Sequence, residues 1–294
     1  MEITRPIPAR RTRQWPLRGV GRQLLFYGPI ALFLVITFLP IYWILLSAFT
    51  PISELFRTPL TYVPQHPTVV NFQTVAKVVP LVQQFFNSAV LSVCSAAVTV
   101  VICLLAAYAF ARIRFPGSNL FFLGLLLSGF LPGIATIIPL FQLFQHLNLV
   151  DSLKGLFILY VSFLLPTSVW IMASFIRQIP FEMEEAAQVD GASFPTILLR
   201  VVVPVLRPAL ATLFLIDLIT AWDEFFLPVV FSRSASTATL TLGITQAAVN
   251  PQYQSVVWGN EAAMGVVVIV PVFILAMVFQ KQIVEGLMAG SLKG

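Results

Sequence analysis

Polar and apolar positions in this chain separate into long blocks. Stretches free of Asp, Glu, Lys and Arg occupy residues 23–53, 78–111, 115–150, 155–176 and 262–280. A helix needs about 20 apolar residues to cross the hydrocarbon core of a bilayer, so each stretch can hold one span. Residues 208–231 make a sixth, interrupted by Asp217, Asp223 and Glu224. The period-two alternation of a transmembrane barrel is absent, so the pattern predicts an all-α membrane protein with six transmembrane helices.

The connections differ in kind. Residues 1–22 are basic, carry Pro6, Pro8 and Pro16 and lack apolar periodicity; they are read as a flexible cytoplasmic tail ahead of a membrane domain spanning 23–294. Span one ends near Phe49, and the proline-rich segment 50–85 follows on the outside. "RIRFPGS" (112–118) forms a tight inner turn, with Pro-Gly marking the break. "HLNLVDSLK" (146–154) is a short outer connection. A second outer connection, roughly 232–260, is rich in Ser, Thr, Gln and Asn.

Composition agrees with lipid as the main solvent. The chain is 58% hydrophobic and only 10% charged, against about 25% charged in soluble domains. With the N-terminus cytoplasmic, 13 of the 17 Lys and Arg fall on inner segments; Arg57, Lys77, Lys154 and Arg233 remain outside. That bias follows the positive-inside rule and puts both termini in the cytoplasm. The net charge of +5 thus reports topology rather than nucleic-acid binding. The first apolar run is too long for a signal-peptide core and no A-x-A-like site closes it, so it is read as a retained span.

Catalytic and metal signatures are missing. Cys94 and Cys103 lie nine residues apart in span two, on opposite sides of one helix, and cannot bridge. His66 and His146 have no second ligand at metal spacing. The four lysines follow Ala76, Leu153, Gln280 and Leu292, so no Gly-Lys pair exists and the chain cannot be a P-loop ATPase. No G-x-S-x-G or H-E-x-x-H occurs. The chain is read as no enzyme, with no catalytic residue, cofactor or metal of its own.

One inner segment stands apart. Residues 177–208, "RQIPFEMEEAAQVDGASFPTILLRVVVPVLRP", hold four of the twelve acids between Glu182 and Asp190. Pro180 suits the first turn of a helix. Glu182, Glu184 and Glu185 then meet the positive end of the helix dipole. Ala186 and Ala187 are strong helix formers. Gly191, after Asp190, is a natural stop, and Ser193 can cap a second helix with Pro195 early in it. Pro204 and Pro208 break the chain again before the next span. A helix of about nine residues is about 14 Å long at 1.5 Å per residue and marginal in water alone. Four acids suit an anionic headgroup layer poorly, so a protein partner should hold it.

"EEAAQVDGAS" followed by "VVVPVLRP" resembles the EAA loop of permease subunits in bacterial ABC importers. By that resemblance Glu185, Ala186 and Ala187 are the triplet, Gly191 the turn and Pro204 the later proline. Valine stands where the family often has Ile or Leu. "AYAFARIRFPG" (107–117), "IIPLFQLFQHLNLVDS" (137–152), "WDEFFLP" (222–228) and "GLMAGSLKG" (286–294) look like the carbohydrate branch. From roughly Leu39 to Gly294 the chain resembles the second permease subunit of maltose-type importers.

The resemblance implies a type I ABC importer permease fold in the bacterial inner membrane, with a coupling loop at about 178–207. It implies a second, non-identical permease subunit enclosing the path, two ATP-binding subunits that hold ATP and magnesium, and an external solute-binding protein. The coupling residues implied are Glu184, Glu185, Ala186, Ala187, Asp190, Gly191, Ser193 and Pro204. The expected cargo is a sugar or sugar-like solute. An importer for polyols, osmolytes or glycerol phosphate stays open, as does an ion-coupled secondary transporter.

Two further groups are candidates. Asp217 lies ten residues after Arg207, about 15 Å along a helix and so near the bilayer midplane. A charge there should face the bundle interior, since exposure to lipid costs roughly 2.5–3.5 kcal/mol. Asp217, Trp222, Asp223 and Glu224 either line the path or fix the packing of neighbouring spans. In the outer loop, Asn250, Gln252, Tyr253 and Gln254 carry amide and aromatic groups suited to contact with the binding protein; a merely solvated loop is the plainer reading.

Overall fold

The computed structural model describes residues 17–59, 61–130, 133–248 and 257–282. Its helices, in chain order, are α1 (Leu17–Ala48), α2 (Ile52–Leu55), α3 (Val70–Val78), α4 (Leu81–Arg112), α5 (Ser118–Phe130), α6 (Gly133–His146) and α7 (Leu153–Ile176). They continue as α8 (Glu182–Val189), α9 (Phe194–Ile197), a π-helical turn (Leu198–Val202), α10 (Val203–Asp223), α11 (Phe226–Phe231), α12 (Gly243–Ala248) and α13 (Trp258–Val278). No strand occurs among the described residues.

Three long helices, α4, α7 and α10, form the centre, and α13 packs beside them against α1 and α3. At the end of the bundle that carries α8, the core is Cys103, Ala107, Val169, Met172, Ile176, Val202, Leu206 and Leu213. At the far end, Leu91, Leu156, Leu159, Tyr160, Ala221 and Phe231 form a second cluster. There the rings of Phe141 and Phe144 lie 5.6 and 5.4 Å from that of Phe231. Burial grades outward from this centre: 56% of the most apolar window of α7 is buried, but only 11% of that of α1. Helix α1 therefore leaves most of its apolar surface to lipid or to another subunit.

Three sequence expectations change. Among the described residues, five single helices are long and apolar enough to span a bilayer, and the expected span three is a bent pair that makes the sixth if it crosses as one. Residues 118–130 and 135–146 stand at 98° to one another, and the sequence between carries Pro132 and Gly133, residues that interrupt a helix. Span five begins and ends earlier than residues 208–231, running from Phe194 to Asp223. Pro204 and Pro208 do not break it. The π-helical turn ahead of Pro204 widens the ladder, with the Val203 N–H reaching Leu198 O. Inside a membrane bundle such local adjustments accommodate proline. Finally, α1 includes residues 17–22, which the sequence reading places in the tail.

Both ends of span three show why the connections hold their shape. The turn after α4 places Gly117 at φ 81°. The short connection before α7 holds Asn148 and Asp151 at φ 54° and 55°, a left-handed conformation that Asn and Asp tolerate best among residues with a side chain.

Candidate functional site

The acidic segment forms the helix its composition predicts. Glu182, Glu184 and Glu185 occupy the first turn of α8, where the helix dipole favours negative charge. The C-terminus closes in a Schellman arrangement: Gly191 N–H donates to Gln188 O at 2.9 Å and Ala192 N–H to Ala187 O at 2.9 Å. That closure needs the left-handed φ of 81° at Gly191. Ser193 precedes α9, and its hydroxyl lies 3.0 Å from Thr196 Oγ1 instead of capping a backbone N–H. Pro204 sits half-buried in the first turn of α10.

At 100° per residue, Glu182, Met183, Ala186, Val189 and Asp190 share one face of α8. All five are exposed, Val189 to 89%. Glu185 is exposed at the margin of that face, while Ala187 is half-buried on the inner side. Glu184 points inward and is fully buried. Its Oε2 accepts the Tyr108 hydroxyl at 2.6 Å and its Oε1 the Arg112 Nε at 2.7 Å. Arg112 also donates to Ile179 O at 2.7 Å, and its guanidinium stacks over the Phe181 ring at 5.6 Å. Tyr108 meets Phe194 edge-on at 5.3 Å. The expected coupling residues therefore split into an exposed surface and an internal knot. The sequence put Tyr108 and Arg112 in view without a role; an Arg four residues after a Tyr at a helix end was the available signal.

The acids of α10 also separate. Asp217 is 3% exposed, with Oδ1 2.7 Å from the Ser168 hydroxyl on α7. Trp222 is buried, stacks edge-on against Phe85 at 5.7 Å and donates from Nε1 to Val268 O at 3.3 Å. Glu224 is half-buried; its carboxylate accepts the Leu227 N–H at 2.8 Å at the start of α11, and its carbonyl accepts the Thr241 hydroxyl at 2.8 Å. Asp223 alone of the four is exposed.

Asn250, Gln252, Tyr253 and Gln254 lie outside the described residues. The chain leading to them does not float in solvent. Thr237 to Gly243 are buried, held by polar residues on one face of α4. Asn87 donates to Ser236 O and Ala238 O at 2.9 and 2.8 Å, Ser88 Oγ accepts the Leu240 N–H at 2.8 Å, and Gln84 Nε2 reaches Gln246 Oε1 at 2.6 Å. Residues 84, 87 and 88 fall at helical spacing within an apolar span, a pattern the sequence reading passed over.

Asp151 ties the same segment to the connection before α7. Its Oδ1 accepts the Thr237 hydroxyl, the Arg233 and Ser234 N–H groups at 2.9 and 3.0 Å, and the Ser234 hydroxyl at 2.9 Å. These donors, the Thr237 hydroxyl foremost, hold its carboxyl at about 2.

The family described as "Binding-protein-dependent transport system inner membrane component" matches residues 29–288. A sulfoquinovosyl glycerol transport system permease protein of Agrobacterium fabrum is 34% identical over 95% of this chain and 94% of its own. A trehalose/maltose transport system permease protein of Thermococcus litoralis is 33% identical over 93% and 97%. A diacetylchitobiose uptake system permease protein of Streptomyces coelicolor is 30% identical over 96% and 98%. Among solved structures, a chain of a bacterial ABC transporter involved in alginate import superposes with a TM-score of 0.74 at 22% identity, covering 94% of this chain and 99% of that one. At that identity the likeness speaks for the fold.

Proposed function

The chain belongs to the family of binding-protein-dependent transport system inner membrane components, and we propose that its cargo is a sugar or a glycosylated small solute. It is a multi-pass permease subunit with a type I importer fold. ATP hydrolysis in such systems belongs to separate ATP-binding subunits. Membership of this family sets the ion-coupled alternative aside. Relatives named for sulfoquinovosyl glycerol, trehalose/maltose and diacetylchitobiose transport support the solute class.

In this reading the chain encloses the path together with a second, non-identical permease. Two ATP-binding subunits, carrying ATP and magnesium, dock at the α8 end, which faces the cytoplasm with both termini. A solute-binding protein docks at the far end; a related alginate transporter has been solved in complex with an alginate-bound periplasmic protein.

The observation that carries the docking proposal is the exposed face of α8. Met183, Ala186 and Val189 form an apolar strip bordered by Glu182, Glu185 and Asp190. An eight-residue helix with such a face is a knob that fills a cleft on a partner. Glu185→Lys reverses charge at its margin, and Gly191→Pro forbids the turn that ends it. Both variants should still insert in the membrane, but lose copurifying ATP-binding subunit or hydrolyse ATP without uptake. Normal uptake in both would refute the docking role.

A further inference from the structure

We propose that Glu184, Arg112 and Tyr108 form a rigid link that makes α8 and α4 move as one body, so that force on the docking helix passes into span two. The proposal rests on the docking role of α8 and adds a path for the force. Glu184 sits among the docking residues in sequence, yet its side chain is fully buried and cannot touch a partner subunit. Both carboxylate oxygens are occupied by the last turns of α4, at 2.6 Å from Tyr108 and 2.7 Å from Arg112.

Arg112 then spans two positions of the segment, gripping Glu184 by Nε and the Ile179 carbonyl by its terminal nitrogen at 2.7 Å. Its side chain is 11% exposed and that of its partner 0%. A desolvated, charge-assisted pair with every oxygen engaged has one geometry, because any sliding leaves a buried charge unpaired. Phe181 under the guanidinium and Phe194 against Tyr108 close the sides. Apart from the knot, α8 meets the rest of the chain through Ala187, packed on the core beside the π-helical turn, and through its short flanking turns; none of these contacts carries a charge-assisted bond that fixes one orientation. The knot makes Glu184 a positioning residue, acting through α4, while Glu185 and the apolar strip meet the partner.

The link is tested in the complete transporter, reconstituted in liposomes with its partner permease, ATP-binding subunits and binding protein. Cys94 and Cys103 are replaced by Ala, and spin labels are placed at Val101 and Gln188, both exposed. Val101 lies eleven residues before Arg112, about 16 Å up α4, which gives a measurable separation. The interlabel distance should be narrow and identical in nucleotide-free and vanadate-trapped states. Glu184→Ala should broaden it and lower transport per ATP hydrolysed about tenfold, with Tyr108→Phe lowering it about threefold. Glu184→Gln, which can accept from Arg112 and donate to the Tyr108 oxygen, should restore the narrow distribution and most of the coupling. Should Glu184→Ala fail to assemble, Tyr108→Phe and Glu184→Gln carry the same comparison. A distance that shifts between the two states in the parent, or one that Glu184→Ala and Tyr108→Phe leave unchanged, would overturn the link. The docking role stands or falls separately, on subunit copurification with Glu185→Lys.

Discussion

The Ser168 hydroxyl lies 2.7 Å from Asp217 Oδ1 and 2.9 Å from Leu164 O, so one proton is shared between a carboxylate and a backbone carbonyl. Asp217 Oδ2 has no hydrogen-bond partner among the described residues. An acid this enclosed between α7 and α10 supports a packing role over solute contact. Ser168→Ala removes the donor and should lower the stability of the assembled complex by about 1–3 kcal/mol. Asp217→Asn, which keeps an acceptor, should cost less. Complexes of either variant that assemble should transport with unchanged KM. Normal assembly with an altered KM or solute preference for Asp217→Asn would place this residue on the path instead.

Acid should loosen the far end of the bundle through Asp151. Its ordinary value of 3.8 falls to about 2 in the folded chain, so the fold binds this proton less readily than the unfolded chain does. The stabilisation is therefore complete above about pH 4 and drains away as the pH falls toward 2. Hydrogen exchange across 232–248 should accelerate through that window in the parent chain. Asp151→Asn, which accepts the left-handed backbone, should exchange faster at neutral pH and respond less to acid. Equal acid sensitivity in both would assign the loosening to another group.

Two glycines are required for different reasons, and alanine should separate them. A methyl group at Gly191 would meet nothing within 4 Å, but the backbone φ is 81°; strain of about 1–2 kcal/mol should act locally on α8. A methyl group at Gly243 would lie 2.3 Å from Gln84 Oε1 and 2.5 Å from Met264 Cε. Gln84 can yield only by giving up Gln246, so overpacking should cost about 1–3 kcal/mol. Thermal unfolding of the permease should detect Gly243→Ala strongly. Gly191→Ala should appear chiefly in uptake, and the reverse ranking would contradict these assignments.

Deleting Asn250 to Gln254 addresses the binding-protein contact. The segment before it is pinned to α4 by Asn87 and Ser88, so removal of the tip should leave the bundle intact. Stimulation of ATP hydrolysis by the loaded binding protein should fall several-fold, while basal hydrolysis stays the same. Unchanged stimulation would leave this loop a merely solvated one.

Much of the architecture is written in the linear pattern, because lipid imposes a simple rule. A backbone in hydrocarbon must satisfy its own hydrogen bonds, so uninterrupted apolar runs become helices. That rule located α1, α4, α7 and α13, and charge with helix-stop chemistry located α8 and Gly191. It failed where proline and glycine compete with their surroundings. Pro204 and Pro208 lie inside a continuous helix, where the π-helical turn accommodates Pro204. The Pro132–Gly133 neighbourhood instead separates two helices at right angles.

The sequence by itself determined the solvent, the helix count to within one bent pair, and the short acidic helix for which we propose a partner. Tertiary structure decided which side chains of that stretch are free to meet it. Glu184 and Glu185 are neighbours of identical chemistry, and no local property tells them apart. One is buried and one exposed because Arg112 and Tyr108, 72 and 76 residues away in sequence, converge on the inner side of α8. The same holds for the segment before Asn250, polar in composition yet buried, because Asn87 and Ser88 supply the hydrogen bonds that water would otherwise give. Burial of a polar group depends on the partner brought to it, and only the folded chain fixes that partner.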